Sequence, residues 1–250
     1  TDGGTISLTA ATLKAQGVVL RKGASLDVSG GYVITNRSLA DAGDAGALSL
    51  FGPAVLLNGE VRGLALMGKN GGSISLHAYE TEVFPNLAPG QGLDFSFMDP
   101  LPESYQRKLW LDDNRFDGTG FGRITLKSCT DLVVYGNVSL VPSPARLFLS
   151  DEGEIENILL DNDQMSHMGG KTAIALNAGE TKGFSSFFME KAETDTTEEA
   201  ITASAVVNKG ANIKVAPGGS ISISGADAEI AGILTAPAGI ISIETEPINN

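Results

Sequence analysis

One five-residue phrase returns along the chain and limits its fold more than any other feature: glycine, a variable residue, an aliphatic residue, usually a serine or threonine, then leucine or isoleucine. It reads Gly4-Thr5-Ile6-Ser7-Leu8, Gly46-Ala47-Leu48-Ser49-Leu50, Gly72-Ser73-Ile74-Ser75-Leu76 and Gly122-Arg123-Ile124-Thr125-Leu126. Gly136-Asn137-Val138-Ser139-Leu140, Gly219-Ser220-Ile221-Ser222-Ile223 and Gly239-Ile240-Ile241-Ser242-Ile243 continue it. Side chains two apart on a strand share a face, so each phrase sends two aliphatics one way and the residue between them the other. Each phrase is one half-buried strand, and the glycines fall at corners that call for positive φ or a missing side chain. Val18 to Leu20, Ser25 to Val28, Ile213 to Val215 and Glu229 to Leu234 have the same strand character.

The intervals are informative: positions 46 to 72 are 26 apart, 219 to 239 are 20 apart, and 4 to 46 are 42 apart, read as two units of 21. A repeat of roughly 20 to 26 residues has the length of one solenoid coil. A single coil cannot bury its inward face, so coils must stack and share a core. The chain is therefore expected to be an all-β parallel β-helix, a solenoid with loop insertions. On the order of eight coils at about 4.8 Å each would make a rod about 40 Å long. A content of 31 glycines with only 6% aromatics suits short strands joined by tight turns. An antiparallel sandwich or barrel also has short, evenly spaced strands, but gives no reason for one phrase to recur.

We read residues 1–250 as a single segment with insertions at about 79–119, 142–171 and 184–208. The first holds seven of the chain's fifteen aromatics, and Pro85, Pro89, Pro100 and Pro102 make most of it a loop, with a helical turn around Glu103 to Lys108. Long loops are commonly functional or act as covers. Trp110 and Tyr105 are the candidate surface-recognition residues, as aromatic platforms for a sugar ring, or else they seal the insertion onto the flank. The second insertion carries Asp161-Asn162-Asp163 near His167, but lacks the glycine and closing glutamate of a calcium loop. In the third, Thr196 and Glu199 have capping-box spacing for a short helix, which the β-branched Val206-Val207 opposes.

A net charge of −13, from 30 acids and 17 bases, repels nucleic acid and anionic membranes. The sole cysteine, Cys129, excludes an intramolecular disulfide and a cysteine-based zinc cluster. Apolar runs such as Ala54 to Leu57 fall far short of the roughly 20 residues of a membrane-spanning helix. The chain opens in mid-pattern at Thr1-Asp2-Gly3-Gly4, without a basic n-region and apolar h-region, and is therefore expected to be an internal fragment.

Catalysis by a β-helix of the polysaccharide-cleaving kind would need facing carboxylates, and Asp112, Asp113 and Asp117 are the best cluster. Their neighbours Asn114, Gly118 and Gly120 read instead as turn chemistry. Asn-Thr-Asp, Gly-His-Gly and Arg-Ile-Lys signatures do not occur together, and His77 and His167 are the only histidines. Gly30-Gly31 and Gly218-Gly219 lack the continuation of a phosphate-binding loop. No catalytic, cofactor-binding or metal residue is assigned.

The opening Gly3-Gly4-Thr5-Ile6-Ser7-Leu8, the phrase Leu26-Asp27-Val28-Ser29-Gly30-Gly31 and the tail Gly232 to Ile243 carry a family likeness. In them the chain resembles the repeat region of filamentous haemagglutinin-like exoproteins of Gram-negative two-partner secretion. The resemblance implies a right-handed β-helix, export through an outer-membrane pore partner, and an adhesive rod at or shed from the cell surface. It transfers no ligand residues. The expected function is thus a structural and adhesive, non-enzymatic segment of a secreted or surface-displayed exoprotein, with a host glycan or receptor as its partner. The alternative is a carbohydrate-active β-helix enzyme.

Overall fold

The computed structural model describes residues 1–10, 16–34, 40–86, 101–142, 145–150, 154–159, 171–182, 184 and 203–245. It is all-β and is dominated by two seven-stranded sheets in which every pairing is parallel. The first runs in the order β1 (Thr5–Thr9), β6 (Ala47–Phe51), β10 (Gly72–Ala78), β13 (Phe121–Ser128), β18 (Ala173–Asn177), β21 (Ser220–Gly225) and β24 (Ile240–Thr245). Strand order follows chain order throughout it.

The recurring phrase lies in this sheet in exact alignment. Ile6, Leu48, Ile74, Ile124, Ile174, Ile221 and Ile241 form one inward row, and Leu8, Leu50, Leu76, Leu126, Leu176, Ile223 and Ile243 a second. The five inner members of each row are at most 1% exposed, whereas Leu8, Ile241 and Ile243 at the ends are 37%, 44% and 47% exposed. Burial therefore comes from the strands above and below, as stacked repeats require.

The glycines of the phrase serve close approach more than turning. A Cβ at Gly46 would overlap the Gly4 carbonyl oxygen, and one at Gly239 the Gly219 oxygen. Neither glycine has positive φ. Where β18 lacks the glycine, buried Thr172 stands in its place, and its hydroxyl accepts a hydrogen bond from the Ala216 N–H at 2.7 Å.

The second large sheet contains β2 (Val18–Leu20), β7 (Val55–Leu57), β12 (Lys108–Asp112), β11 (Glu80–Phe84), β14 (Leu132–Val134), β19 (Ser204–Val207) and β22 (Asp227–Ile230), in that order. Its inward residues are aliphatic apart from Thr81, fully buried, whose hydroxyl donates to the Lys127 carbonyl at 3.1 Å. Such a pairing is what a buried hydroxyl needs. A third face is made of β3 (Ser25–Asp27) with β8 (Glu60–Arg62), and separately of β15 (Ser139–Leu140), β20 (Asn212–Lys214) and β23 (Ile233–Thr235). Aliphatics from all three faces pack into one core.

Two smaller groups complete the fold. β4 (Tyr32–Ile34) and β5 (Ala40–Ala42) form an antiparallel pair. β16 (Ala145–Leu149) pairs antiparallel with β17 (Ile155–Leu159) and parallel with β9 (Ala65–Leu66).

Several expectations need correcting. Thr5 pairs directly with Ala47, so the 42-residue interval joins two adjacent strands and carries the β4–β5 pair, in place of two units of 21. Gly136-Asn137-Val138-Ser139-Leu140 leads to β15 on the third face, away from the sheet that holds the other phrases. The range 79–119 supplies β11 and β12, two strands of the second sheet, in addition to a 3-10 turn at Glu103–Tyr105. The acidic Asp161 to His167 stretch and the Thr196 capping box lie outside the described residues.

Replacing Leu126, at the centre of its row, with alanine is expected to cost about 2–5 kcal/mol of unfolding free energy. Ile243→Ala at the exposed end should cost less than about 1 kcal/mol. Urea unfolding followed by circular dichroism measures both, and equal losses would contradict a core built from the stacked rows.

Candidate functional site

The order of β11 and β12 creates the first candidate site. The chain leaves β11, returns as β12, and inserts it on the near side of β11, against β7. Outward side chains from these strands therefore meet in an arrangement that chain order alone would not give. Val19, Leu56, Trp110, Glu82, Val133, Val206 and Glu229 form one outward row across the sheet.

Trp110 and Tyr105 are both half-buried, and their rings meet at 4.9 Å in an edge-on geometry. Phe84 sits edge-on to Trp110 at 6.4 Å and stacks on Tyr135 at 4.7 Å with 18° between planes. The Trp110 indole N–H donates to one oxygen of Glu82 at 2.5 Å, and the Tyr135 hydroxyl donates to the other at 3.3 Å. Lys108 pairs with Glu80 at 3.1 Å while lying 5.7 Å from the Trp110 ring centre. Burial pushes the Tyr135 phenol upward, and the Glu82 charge adds to it.

Tyr105 also packs, with Leu101, against Ala54, Leu56 and Val19 on the outside of the second sheet. Leu101 N–H donates to the Gln16 side-chain oxygen at 2.6 Å, which pins this segment down. Both expected recognition residues thus lie in one aromatic patch, where they also seal the returning chain onto the sheet. Phe84, Tyr135 and Glu82 belong to the same patch and were not singled out from sequence, because nothing local indicates that β12 doubles back.

The three candidate aspartates separate into different roles. Asp113 is a brace: its two oxygens accept from the backbone N–H groups of Asn86 at 3.1 Å and Ser139 at 2.8 Å. Asp112 is 3% exposed. Asp117 is exposed, with its carboxyl pushed above the ordinary range by partial burial and by Asp113. Asp112 and Asp117 line one cleft of about 410 Å³ with Glu60, Arg62, Arg115 and Thr119. Burial lowers the Arg115 value, opposed by the charges of Asp112 and Glu60.

A second ring cluster lies outside the first sheet. His77, 7% exposed, contacts Phe51 at 4.9 Å and Phe184 at 5.0 Å, and its Nε2 is 2.8 Å from the Glu180 carbonyl oxygen. Burial depresses its pKa, helped by the Lys127 charge and opposed by Glu180 through its carbonyl and carboxylate. Cys129 is buried nearby, and burial followed by the Glu180 charge raises its thiol to about 11. Among the described residues no group of three or more His, Cys, Asp or Glu could hold a metal ion, and no helix is long and apolar enough to cross a membrane.

Two outcomes are expected from these environments. Because the thiolate is the reactive form, Cys129 should resist a disulfide-exchange reagent at about pH 8 in the folded protein and react fully in denaturant. Rapid labelling without denaturant would contradict its burial. Neutral His77 contributes stability that is complete above 6.5 and lost as pH falls through its depressed folded value. The melting temperature should therefore fall between about pH 7 and pH 5, and His77→Gln should flatten that slope.

No family model, curated protein or solved structure matches the chain.

Proposed function

We propose that the chain is a stretch of right-handed parallel β-helix from a secreted or surface-displayed bacterial exoprotein. In this role it is a non-enzymatic adhesive rod similar to filamentous haemagglutinin-like proteins of two-partner secretion. The observation that carries the proposal is the unbroken alignment of the inward rows through seven parallel strands. Their six intervals at about 4.8 Å correspond to a rise of roughly 29 Å, less than the eight coils expected from spacing. Export would use an outer-membrane pore partner, by analogy with the family.

Adhesion would reside in side chains that the scaffold holds outward. The patch of Trp110, Tyr105, Phe84 and Tyr135 combines aromatic area with a carboxylate, a composition suited to stacking on a sugar while accepting its hydroxyls. A host glycan is the partner this chemistry fits best.

The placement of Asp112 and Asp117 in one cleft favours the carbohydrate-active enzyme as the second reading. Asp112 faces the Arg115 charge and Asp113 is committed to backbone N–H groups. Binding is preferred to hydrolysis because two of the three carboxylates lining the cleft are held by arginines as fixed acceptors, Glu60 by Arg62 and Asp112 by the Arg115 charge.

On a glycan array, the wild-type protein is expected to retain cell-surface oligosaccharides, with Trp110→Ala reducing the signal about tenfold. Equal retention by both proteins would eliminate the aromatic patch as the platform. Release of reducing sugar from a bound oligosaccharide would shift the assignment to the enzyme.

A further inference from the structure

The third face is interrupted. β3 and β8 form one sheet, β15, β20 and β23 another, and among the described residues no strand joins β8 to β15. Residues 113–119 cross the interval as consecutive turns. They are tied on one side by Arg115 donating to the Gly59 carbonyl and by Gly63 N–H donating to the Thr119 carbonyl at 2.7 Å. On the other side, Asp113 accepts from Ser139 N–H. Individual hydrogen bonds replace a strand ladder, and between β8 and these turns lies the cleft of about 410 Å³. That volume falls within the roughly 300 to 1,000 Å³ range of small-molecule sites.

We propose that this cleft against β8 is a binding subsite for a neutral sugar residue, whose hydroxyls would be held by Arg115, Asp117, Glu60 and Arg62. The inference rests on the glycan-binding reading above and names a second place where the glycan engages. Three observations carry it.

First, Arg115 lines the cleft and its guanidinium is not fully satisfied by the protein: one terminal nitrogen donates to the Gly59 carbonyl, and the buried Nε–H has no hydrogen-bond partner. Second, the cleft's charges largely offset one another. Glu60 pairs with Arg62 at 2.6 Å, and Asp112 with Glu60 faces Arg115. Such a lining supplies donors and acceptors without attracting an ion, and the chain's net charge of −13 further disfavours an anionic glycan. Third, Asp112 lies two residues beyond Trp110 on β12, so the cleft opens where the aromatic strand ends. Stacking area and polar groups that orient a ligand are thereby supplied by one strand and the turn that follows it.

The test is an array of neutral and uronic acid-containing oligosaccharides probed with fluorescently labelled full chain. Wild type is compared with Asp117→Ala, Arg62→Ala, Arg115→Met and Trp110→Ala, each checked by thermal unfolding. Neutral oligosaccharides should be retained by wild type, and Asp117→Ala and Arg62→Ala should weaken retention about tenfold or more while melting like wild type. These exposed positions keep the test decisive even if Arg115→Met fails to fold. Unchanged binding by Asp117→Ala and Arg62→Ala, with loss in Trp110→Ala, would overturn the cleft and leave the aromatic platform standing. Preference for the acidic oligosaccharides would also overturn it, and no retention by wild type would remove the glycan reading itself.

Discussion

Everything in this fold depends on the parallel stacking of strands in register. Each strand of the large sheets satisfies its backbone groups only through the strands above and below. The same contact carries Leu50, Leu76, Leu126 and Leu176 from half-exposed positions on isolated strands to complete burial. Hydrogen bonding and hydrophobic burial thus act along one axis. This is why the phrase glycines are constrained: Gly46 and Gly239 lie so close to the backbone beneath them that a methyl group would separate the layers the aliphatic rows hold together.

A scaffold of this kind tolerates large interruptions. The six intervals between paired positions in the first sheet are 42, 26, 50, 50, 47 and 20 residues, yet the rows remain aligned. Extra residues leave at the corners and return without disturbing the pairing. The return of β12 is the most consequential case, because it adds a strand to the second sheet between β7 and β11 with no counterpart between β6 and β10. The aromatic patch assembles on its outward side, and the turns that follow it cross the third face in place of a strand. Both candidate binding regions therefore originate in one local departure from regular stacking.

The polar groups near these departures show how the irregularity is accommodated. Asp113 substitutes for a missing ladder by accepting two backbone N–H groups, and Ser128 donates to the carbonyls of Tyr79 and Asp131 at the corner beyond β13. The half-buried Phe51 and Phe184 close over His77, whose Nε2 lies against the Glu180 carbonyl. In a low-dielectric surrounding such groups are fixed more firmly by their partners than they would be in water.

By itself the sequence determined the strand faces, because alternation with a period of two is a local property: Ile124 and Leu126 had to share a side, with Thr125 opposite. It also identified Trp110 and Tyr105 as neighbours in an aromatic-rich stretch. Tertiary structure alone decided which strands pair, since an insertion of any length leaves the same local pattern. A 42-residue interval could therefore be taken for two circuits, and Val138-Ser139-Leu140 could be assigned to the wrong face. The partners of Trp110 and the cleft beside Arg115 depend on β12 settling between β7 and β11. That choice is made by long-range packing of Leu109 and Leu111 into the common core, an energy no short stretch of sequence contains.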